Sequence, residues 1–302
     1  ISRGLPKFDI VGLPDTAVKE SKERVRASIK NSGKNFPVAV ITVNLAPADV
    51  KKEGSKLDLA IAISLLRATE PGMDRSIDKT VVLGELSLDG AVRPVTGVLP
   101  ICLSAKARGY TTLVIPKANE EEACYVEGIK IIAVSSLNEA VRYFKGEEIA
   151  VTEIKKFTPP QENDFKNDLK YVKGQYIAKR ALEIAVSGGH NILMVGAPGA
   201  GKTMLAKCIP SVMPDMTFDE ALETTAVHSV AGNLSHTDGI IKIRPFISPH
   251  HTATRIALVG GGANVLPGLV SLANNGVLFL DEMPEYPRTV LERSEEHTSE
   301  LQ

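Results

Sequence analysis

Gly196-Ala197-Pro198-Gly199-Ala200-Gly201-Lys202-Thr203 sets glycines, a lysine and a hydroxyl at the spacing G-x-x-x-x-G-K-[ST]. Glycines at these positions let backbone N–H groups turn inward around phosphate oxygens. A helix running out of the loop adds partial positive charge at its first turn. Lys202 then offers a point charge to the β- and γ-phosphates, and Thr203 a hydroxyl to Mg²⁺. A second segment, Val277-Leu278-Phe279-Leu280-Asp281-Glu282, reads as a buried strand ending in two adjacent carboxylates. Asp281 suits Mg²⁺, directly or through water, and Glu282 suits the polarisation of an attacking water. Strands often end in acids, so the second segment draws its meaning from the first. The bland alternative is a Gly-rich strand-to-helix turn that holds no nucleotide.

Other reactive residues carry less. Cys102, Cys124 and Cys208 are far apart and form no C-x-x-C. A disulfide framework or thiolate metal site is therefore not expected, and a reducing cytoplasm is. His250 and His251 are adjacent, which is poor spacing for a helical metal pair. No metal is expected beyond Mg²⁺ brought with a nucleotide.

These motifs need elements to hold them. The apolar run Asn191–Val195 reads as a strand entering the loop, and Met204–Ile209 as the helix leaving it. Upstream, 175–187 reads as a helix ended by Gly188-Gly189. Gly260-Gly261-Gly262, Pro249 and Pro267 mark turns between the two motifs, with room for an inserted hairpin or short helix. The first 150 residues alternate textures. Helices are expected over 15–31, 57–66, 99–108 and 137–144, and strands over 38–43, 80–83, 112–115 and 129–134. That is an α/β pattern with a substantial core. Residues 151–169 are polar and Pro-rich in the manner of a linker.

The whole chain is 302 residues, enough for two domains. Apolar residues make up 43% and charged residues 24%, with a formal net charge of −1. This composition excludes a largely disordered or collagenous chain. No apolar run is long enough to span a bilayer, so no membrane partner is expected. Eight Lys/Arg against four Asp/Glu between Ile1 and Lys34 read most simply as a solvated helix face.

Several longer segments resemble one family. Gly188-Gly-His-Asn-Ile-Leu-Met-Val-Gly196, Arg244-Pro-Phe-Ile-Ser-Pro-His-His251-Thr252, Leu258-Val-Gly-Gly-Gly262 and Leu272-Ala-Asn-Asn-Gly-Val-Leu-Phe-Leu-Asp-Glu-Met-Pro-Glu285 look like the magnesium-chelatase-like AAA+ ATPases of the bacterial YifB/ComM type. Ile10-Val-Gly-Leu-Pro-Asp15, Val43-Asn-Leu-Ala-Pro-Ala-Asp49 and Gly84-Glu-Leu-Ser-Leu-Asp-Gly90 match it independently. The resemblance covers nearly all of residues 1–292.

It implies a Lon-protease-like N-terminal α+β domain (ribosomal S5 domain 2-like) over 1–150, a linker over 151–169, and a P-loop AAA+ α/β core over 170–292. The cofactors it implies are ATP and Mg²⁺. Its implied activity is ATP-driven work on branched or single-stranded DNA, as branch migration or a helicase, in recombination of DNA taken up during natural transformation. The implied assembly is a homo-oligomeric ring, a hexamer. Gln175 matches a segment that often flanks adenine in such proteins, against the alternative of helix capping. Arg244, His250 and His251 match a family motif without an evident role. A metal-chelatase motor subunit and a protein remodeller are the alternatives.

An ATP-dependent protease is a further rival. Aligned on Lon-type proteases, the nucleophile segment falls on Glu53-Gly54-Ser55-Lys56-Leu57. The serine position is Lys56, with Ser55 one place early, and the lysine position is Leu99. A serine–lysine pair needs both groups within hydrogen-bond reach. The domain is therefore expected to be proteolytically dead and to serve binding or ring assembly.

The family pattern continues past residue 292, whereas this chain reads Arg293-Ser-Glu-Glu-His-Thr-Ser-Glu-Leu-Gln302. That decapeptide is the in-frame translation of a common sequencing-adapter sequence, so residues 293–302 are expected not to be native. The resemblance implies a sheet order 5-1-4-3-2, of which strands 4 and 5, the lid, both sensors and the arginine finger lie beyond the segment given. The strand before the phosphate loop is then expected to lack a neighbour, and the isolated segment to be inactive.

Overall fold

The computed structural model describes residues 1–47, 52, 54–161, 165–234, 239–262 and 265–287. The chain divides into two compact units, Ile1–Lys156 with Leu234–Gly239, and Phe157–Asn233 with Ile240–Gln302. Residues 293–302 and part of the expected linker lie outside the described residues.

In the first unit, β1 (Lys7–Val11) pairs in parallel with β2 (Val40–Asn44), Phe8 opposite Ile41. A parallel pair needs a crossover, and α1 (Thr16–Asn31) supplies it. The Asp15 carboxylate caps α1 by accepting from the Val18 N–H at 2.7 Å. Val18, Ser21, Val25, Ser28 and Ile29 form its buried stripe. α2 (Asp58–Thr69) is apolar on most sides and correspondingly buried. Asp58 begins α2 and is fully buried. It receives Arg24 Nε at 2.7 Å, the Ser21 hydroxyl, and the Leu86 N–H at 3.3 Å. A charge with no access to water persists only with such partners, and here they bind α1 to α2.

A second sheet has the order β3–β6–β7, all parallel: β3 (Thr80–Val82), β6 (Thr112–Pro116) and β7 (Lys130–Val134). Leu113, Val114, Ile115, Ile131, Ile132 and Val134 are fully buried, as continuous apolar strands of parallel sheets are. Between β3 and β6 lie an antiparallel hairpin, β4 (Glu85–Leu86) and β5 (Val92–Arg93), and α3 (Val98–Ala107). The short α4 (Glu120–Ala123) precedes β7. In α5 (Leu137–Phe144), buried Leu137, Ala140, Val141 and Phe144 follow the helical period. Ile29, Leu59, Leu66, Val114, Ile132, Leu137 and Phe144 belong to one core.

The second unit holds α6 (Tyr176–Ser187), α7 (Lys202–Lys207), α8 (Phe218–Val230), β8 (Phe246–Ile247), α9 (Arg255–Val259), β9 (Gly260–Gly261), β10 (Leu266–Pro267), α10 (Leu269–Leu272) and β11 (Val277–Leu278). β8 and β11 pair in parallel, Ile247 opposite Leu278. The hairpin β9–β10 and helix α9 occupy the stretch where an inserted element was expected.

Three expectations need correction here. Asn191–Val195 joins no ladder among the described residues. Met194 packs on the core of Leu169, Leu182, Leu205 and Ile209, while Leu193 and Val195 are 79% and 88% exposed. Only Met194 of the segment is partly buried, and its backbone has no partner strand among the described residues to make it a strand proper. Helix α7 starts at Lys202 and ends at Lys207, earlier at both ends than expected. Of the four apolar residues before Asp281, only Val277 and Leu278 are laddered. No helix of the described residues is long and apolar enough to cross a membrane.

Candidate nucleotide-binding site

The loop Gly196–Gly201 leads from Asn191–Val195 into α7, and Gly199 and Gly201 have φ of 76° and 86°. Those values favour glycine, since a Cβ there is strained. Gly201 precedes the first turn of α7, where the Leu205 N–H donates to the Gly201 carbonyl at 2.9 Å. Ala200 closes the loop on itself through its N–H to the Ala197 carbonyl at 3.2 Å. Gly196, Ala197, Pro198, Gly199 and Ala200 are exposed.

Lys202 lies over this loop. Its Nζ donates to the carbonyls of Gly196 at 2.8 Å and Ala197 at 3.0 Å. The ammonium is thereby held across the concave side of the loop, on acceptors that anionic oxygens can replace. Thr203, next in α7, donates its hydroxyl to Asp281 Oδ2 at 2.9 Å. Two residues far apart in sequence meet here because β11 delivers its following residues beside the start of α7. Glu282 follows in a left-handed backbone conformation, φ 52°, and its N–H donates to Asp281 Oδ1 at 3.1 Å. The Asp281 carboxylate is therefore fixed by both oxygens.

Glu282 Oε2 stands 3.7 Å from His251 Nδ1. His251 stacks on His250 with ring centroids 4.1 Å apart, and His250 Nδ1 meets the Thr252 hydroxyl at 2.8 Å. Tyr286 is buried and donates its hydroxyl to the Pro249 carbonyl at 2.7 Å, tying together the segments that follow β8 and β11. Burial, with the Asp281 charge second, raises the Tyr286 pKa, so it stays a donor.

The donor set fits a nucleotide with Mg²⁺. Backbone N–H groups and an ammonium suit phosphate oxygens, and a hydroxyl beside a carboxylate gives the hard oxygen ligands Mg²⁺ takes, in small number. No cluster of three or more His, Cys, Asp or Glu side chains suited to another metal occurs among the described residues.

Gln175 is placed differently. It is exposed, has φ 55°, and precedes α6 without a side-chain capping bond. Its carbonyl accepts the Lys179 N–H at 2.9 Å. The structure does not bring it to Lys202, Thr203 or Asp281 by any contact it makes. Arg244 is structural. Its guanidinium donates to the carbonyls of Pro214 at 2.7 Å and Asn275 at 2.8 Å and pairs with Glu220 at 3.1 Å. Sequence alone flagged His251 but gave it no role; its place beside Glu282 follows from the β8–β11 register, which the structure supplies.

In the first unit, the Ser55 hydroxyl donates to Glu85. Leu99 is fully buried and its N–H donates to Glu122 Oε2 at 3.3 Å. Cys102, Cys124 and Cys208 are buried and form no disulfide.

Fold and site together define a magnesium-chelatase-like protein. Residues 168–296 match the family described as magnesium chelatase, subunit ChlI, and residues 1–119 match the family described as subunit ChlI of Mg-chelatase. The chain is 44% identical over 292 residues to the uncharacterized protein YifB of Escherichia coli and 42% identical over 295 residues to the competence protein ComM of Haemophilus influenzae. Each match covers 97% of this chain but only 57% and 58% of those relatives. A Lon protease 2 of Bacillus subtilis is 30% identical over 150 residues, covering 46% of this chain and 26% of that protein. The chain belongs to the YifB/ComM family of magnesium-chelatase-like proteins.

Proposed function

We propose that the chain carries the ATP-binding and ATP-hydrolysing core of a motor that remodels branched or single-stranded DNA. The observation that carries the nucleotide part is the Thr203–Asp281 hydrogen bond at 2.9 Å beside the glycine loop. In this reading Lys202 leaves the loop carbonyls to place its charge on the β- and γ-phosphates. Gly196, Ala197, Pro198, Gly199, Ala200 and Gly201 wrap the phosphates with their backbone. Thr203 and Asp281 hold Mg²⁺, whose chemistry is to neutralise charge on the phosphate oxygens. Glu282 orients and polarises the attacking water. Gln175 is placed against the adenine side only by resemblance.

The DNA part draws on the likeness to a competence protein. The proposed assembly is a homohexameric ring in the cytoplasm, with the first unit as a non-proteolytic binding or assembly module. Support for that last point is local: the serine beside the Lon nucleophile position is engaged by Glu85, and the Lon lysine position is a buried leucine.

The test is ATP turnover by the full-length protein with and without branched DNA across a salt series. Contacts to the DNA backbone predict stimulation that falls steeply as salt rises and vanishes in Lys202→Ala. Turnover indifferent to DNA would redirect the reading to protein remodelling or metal chelation.

A further inference from the structure

We infer that His251 is a positioning residue for Glu282, an assignment that rests on the ATP-hydrolysis reading above. The argument begins in the sheet. β8 and β11 are parallel and in register, Phe246 opposite Val277 and Ile247 opposite Leu278. His251 and Glu282 each stand four residues beyond the pair Ile247 and Leu278, so the register brings them out side by side at the same end of the sheet. There the imidazole Nδ1 lies 3.7 Å from Glu282 Oε2. That separation is longer than a hydrogen bond and within reach of one by a small side-chain movement or one bridging water.

The imidazole is itself held. His250 stacks on it at 4.1 Å, and His250 is fixed by the Thr252 hydroxyl at 2.8 Å and the Thr252 N–H at 3.3 Å. Tyr286 donates to the Pro249 carbonyl at 2.7 Å, which joins the loops that follow β8 and β11. The Glu282 side chain is 69% exposed. Among its described contacts, His251 alone engages the Glu282 carboxylate. An exposed glutamate samples many rotamers, and a catalytic base gains from being confined to one. His251 supplies that confinement without touching the loop, Lys202, Thr203 or Asp281 in any described contact.

The experiment compares His251→Ala, His251→Gln and Glu282→Gln with wild type in the full-length protein. His251→Ala is expected to lower kcat by about tenfold to a hundredfold while KM and nucleotide affinity stay unchanged. His251→Gln keeps a donor of similar reach and is expected to recover part of the loss. Added to Glu282→Gln, His251→Ala is expected to cause no further loss, because its effect runs through that carboxylate. A kcat equal to wild type, a rise in KM that accounts for the loss, or full additivity with Glu282→Gln would overturn the assignment. If His251→Ala fails to fold, failure of His251→Gln to exceed a folded His251→Leu in kcat overturns it equally. A wild-type protein that turns over no ATP would overturn the ATPase reading itself, and this inference with it. Turnover abolished by Lys202→Ala but unmoved by His251 substitution would overturn this inference alone.

Discussion

The Thr203 hydroxyl donates to Asp281 Oδ2 over 2.9 Å, joining the first turn of α7 to the residue just past β11. Each residue alone belongs to a common pattern. Their contact turns two patterns into one site, because adjacent ligands of an octahedral Mg²⁺ lie about 3 Å apart, close to the separation seen here. Thr203→Ala and Asp281→Ala are each expected to weaken Mg²⁺-dependent nucleotide binding by about tenfold or more. Since the two share one ion, the double variant should lose much less than the two losses combined. Calorimetric titration with ATP in Mg²⁺ and in EDTA measures the cycle; additive losses would mean that the two residues act separately.

The buried Asp58 predicts a stability effect in the first unit. Asp58→Ala leaves the buried Ser21 hydroxyl and Leu86 N–H, and the part-buried Arg24, without their shared acceptor, and is expected to cost about 1–3 kcal/mol. Asp58→Asn keeps the shape and some of the hydrogen bonds, and should cost less. Hydrogen exchange of the α1 and α2 amides under mild urea locates the loss. Equal protection in Asp58→Ala and wild type would show that the pair contributes nothing net.

Helix α8 begins with a capping box in which Thr217 accepts from the Glu220 N–H at 3.2 Å and Glu220 accepts from the Thr217 N–H at 2.8 Å. Thr217→Ala should cost about 1 kcal/mol, read as a shift in the urea midpoint. The Thr217 N–H, with the Arg244 charge behind it, holds the Glu220 carboxyl below its ordinary 4.5. A depressed carboxylate pKa adds stability above the unfolded value that is lost as pH falls through the folded one. Removing that carboxylate in Glu220→Gln should therefore cost stability at neutral pH, and the penalty should shrink as pH falls below the ordinary 4.5.

Thiol chemistry gives a fourth check. Burial pushes Cys102 up to about 12 and Cys124 up to about 11, and it raises Cys208 as well. The thiolate is the reactive form, so all three should resist a disulfide-exchange reagent at pH 8 until the chain is unfolded. Rapid labelling of Cys102 in the native protein would contradict its burial at 0% exposure.

Much of this site was legible in the sequence because its motifs are local. Gly196–Thr203 and Val277–Glu282 each declare their chemistry in a few residues. α1, α2, α3, α5 and α6 were legible from period and caps. What escaped was set by pairing at a distance. β1 carries Asp9 and Lys7 and reads as polar until β2 lies beside it. The hairpin β4–β5 is two residues per strand. Asn191–Val195 has strand composition, yet composition cannot supply the neighbour that a ladder requires. α8 was hidden by its mixed face, although Thr217-x-x-Glu220 was a readable start signal. His251 became meaningful only once the β8–β11 register was known, and Arg244 became structural only once its acceptors were seen.

The central claim is that Lys202, Thr203 and Asp281 form a site for ATP with Mg²⁺. The most direct measurement is calorimetric binding of ATP with Mg²⁺ to the full-length protein and to Lys202→Ala, with the surface variant Arg180→Ala as a control outside the site. Saturable binding, one nucleotide per chain at most, that Lys202→Ala abolishes and Arg180→Ala retains is the predicted result. Binding of equal strength in wild type and Lys202→Ala, or no binding to the wild type, would contradict the account.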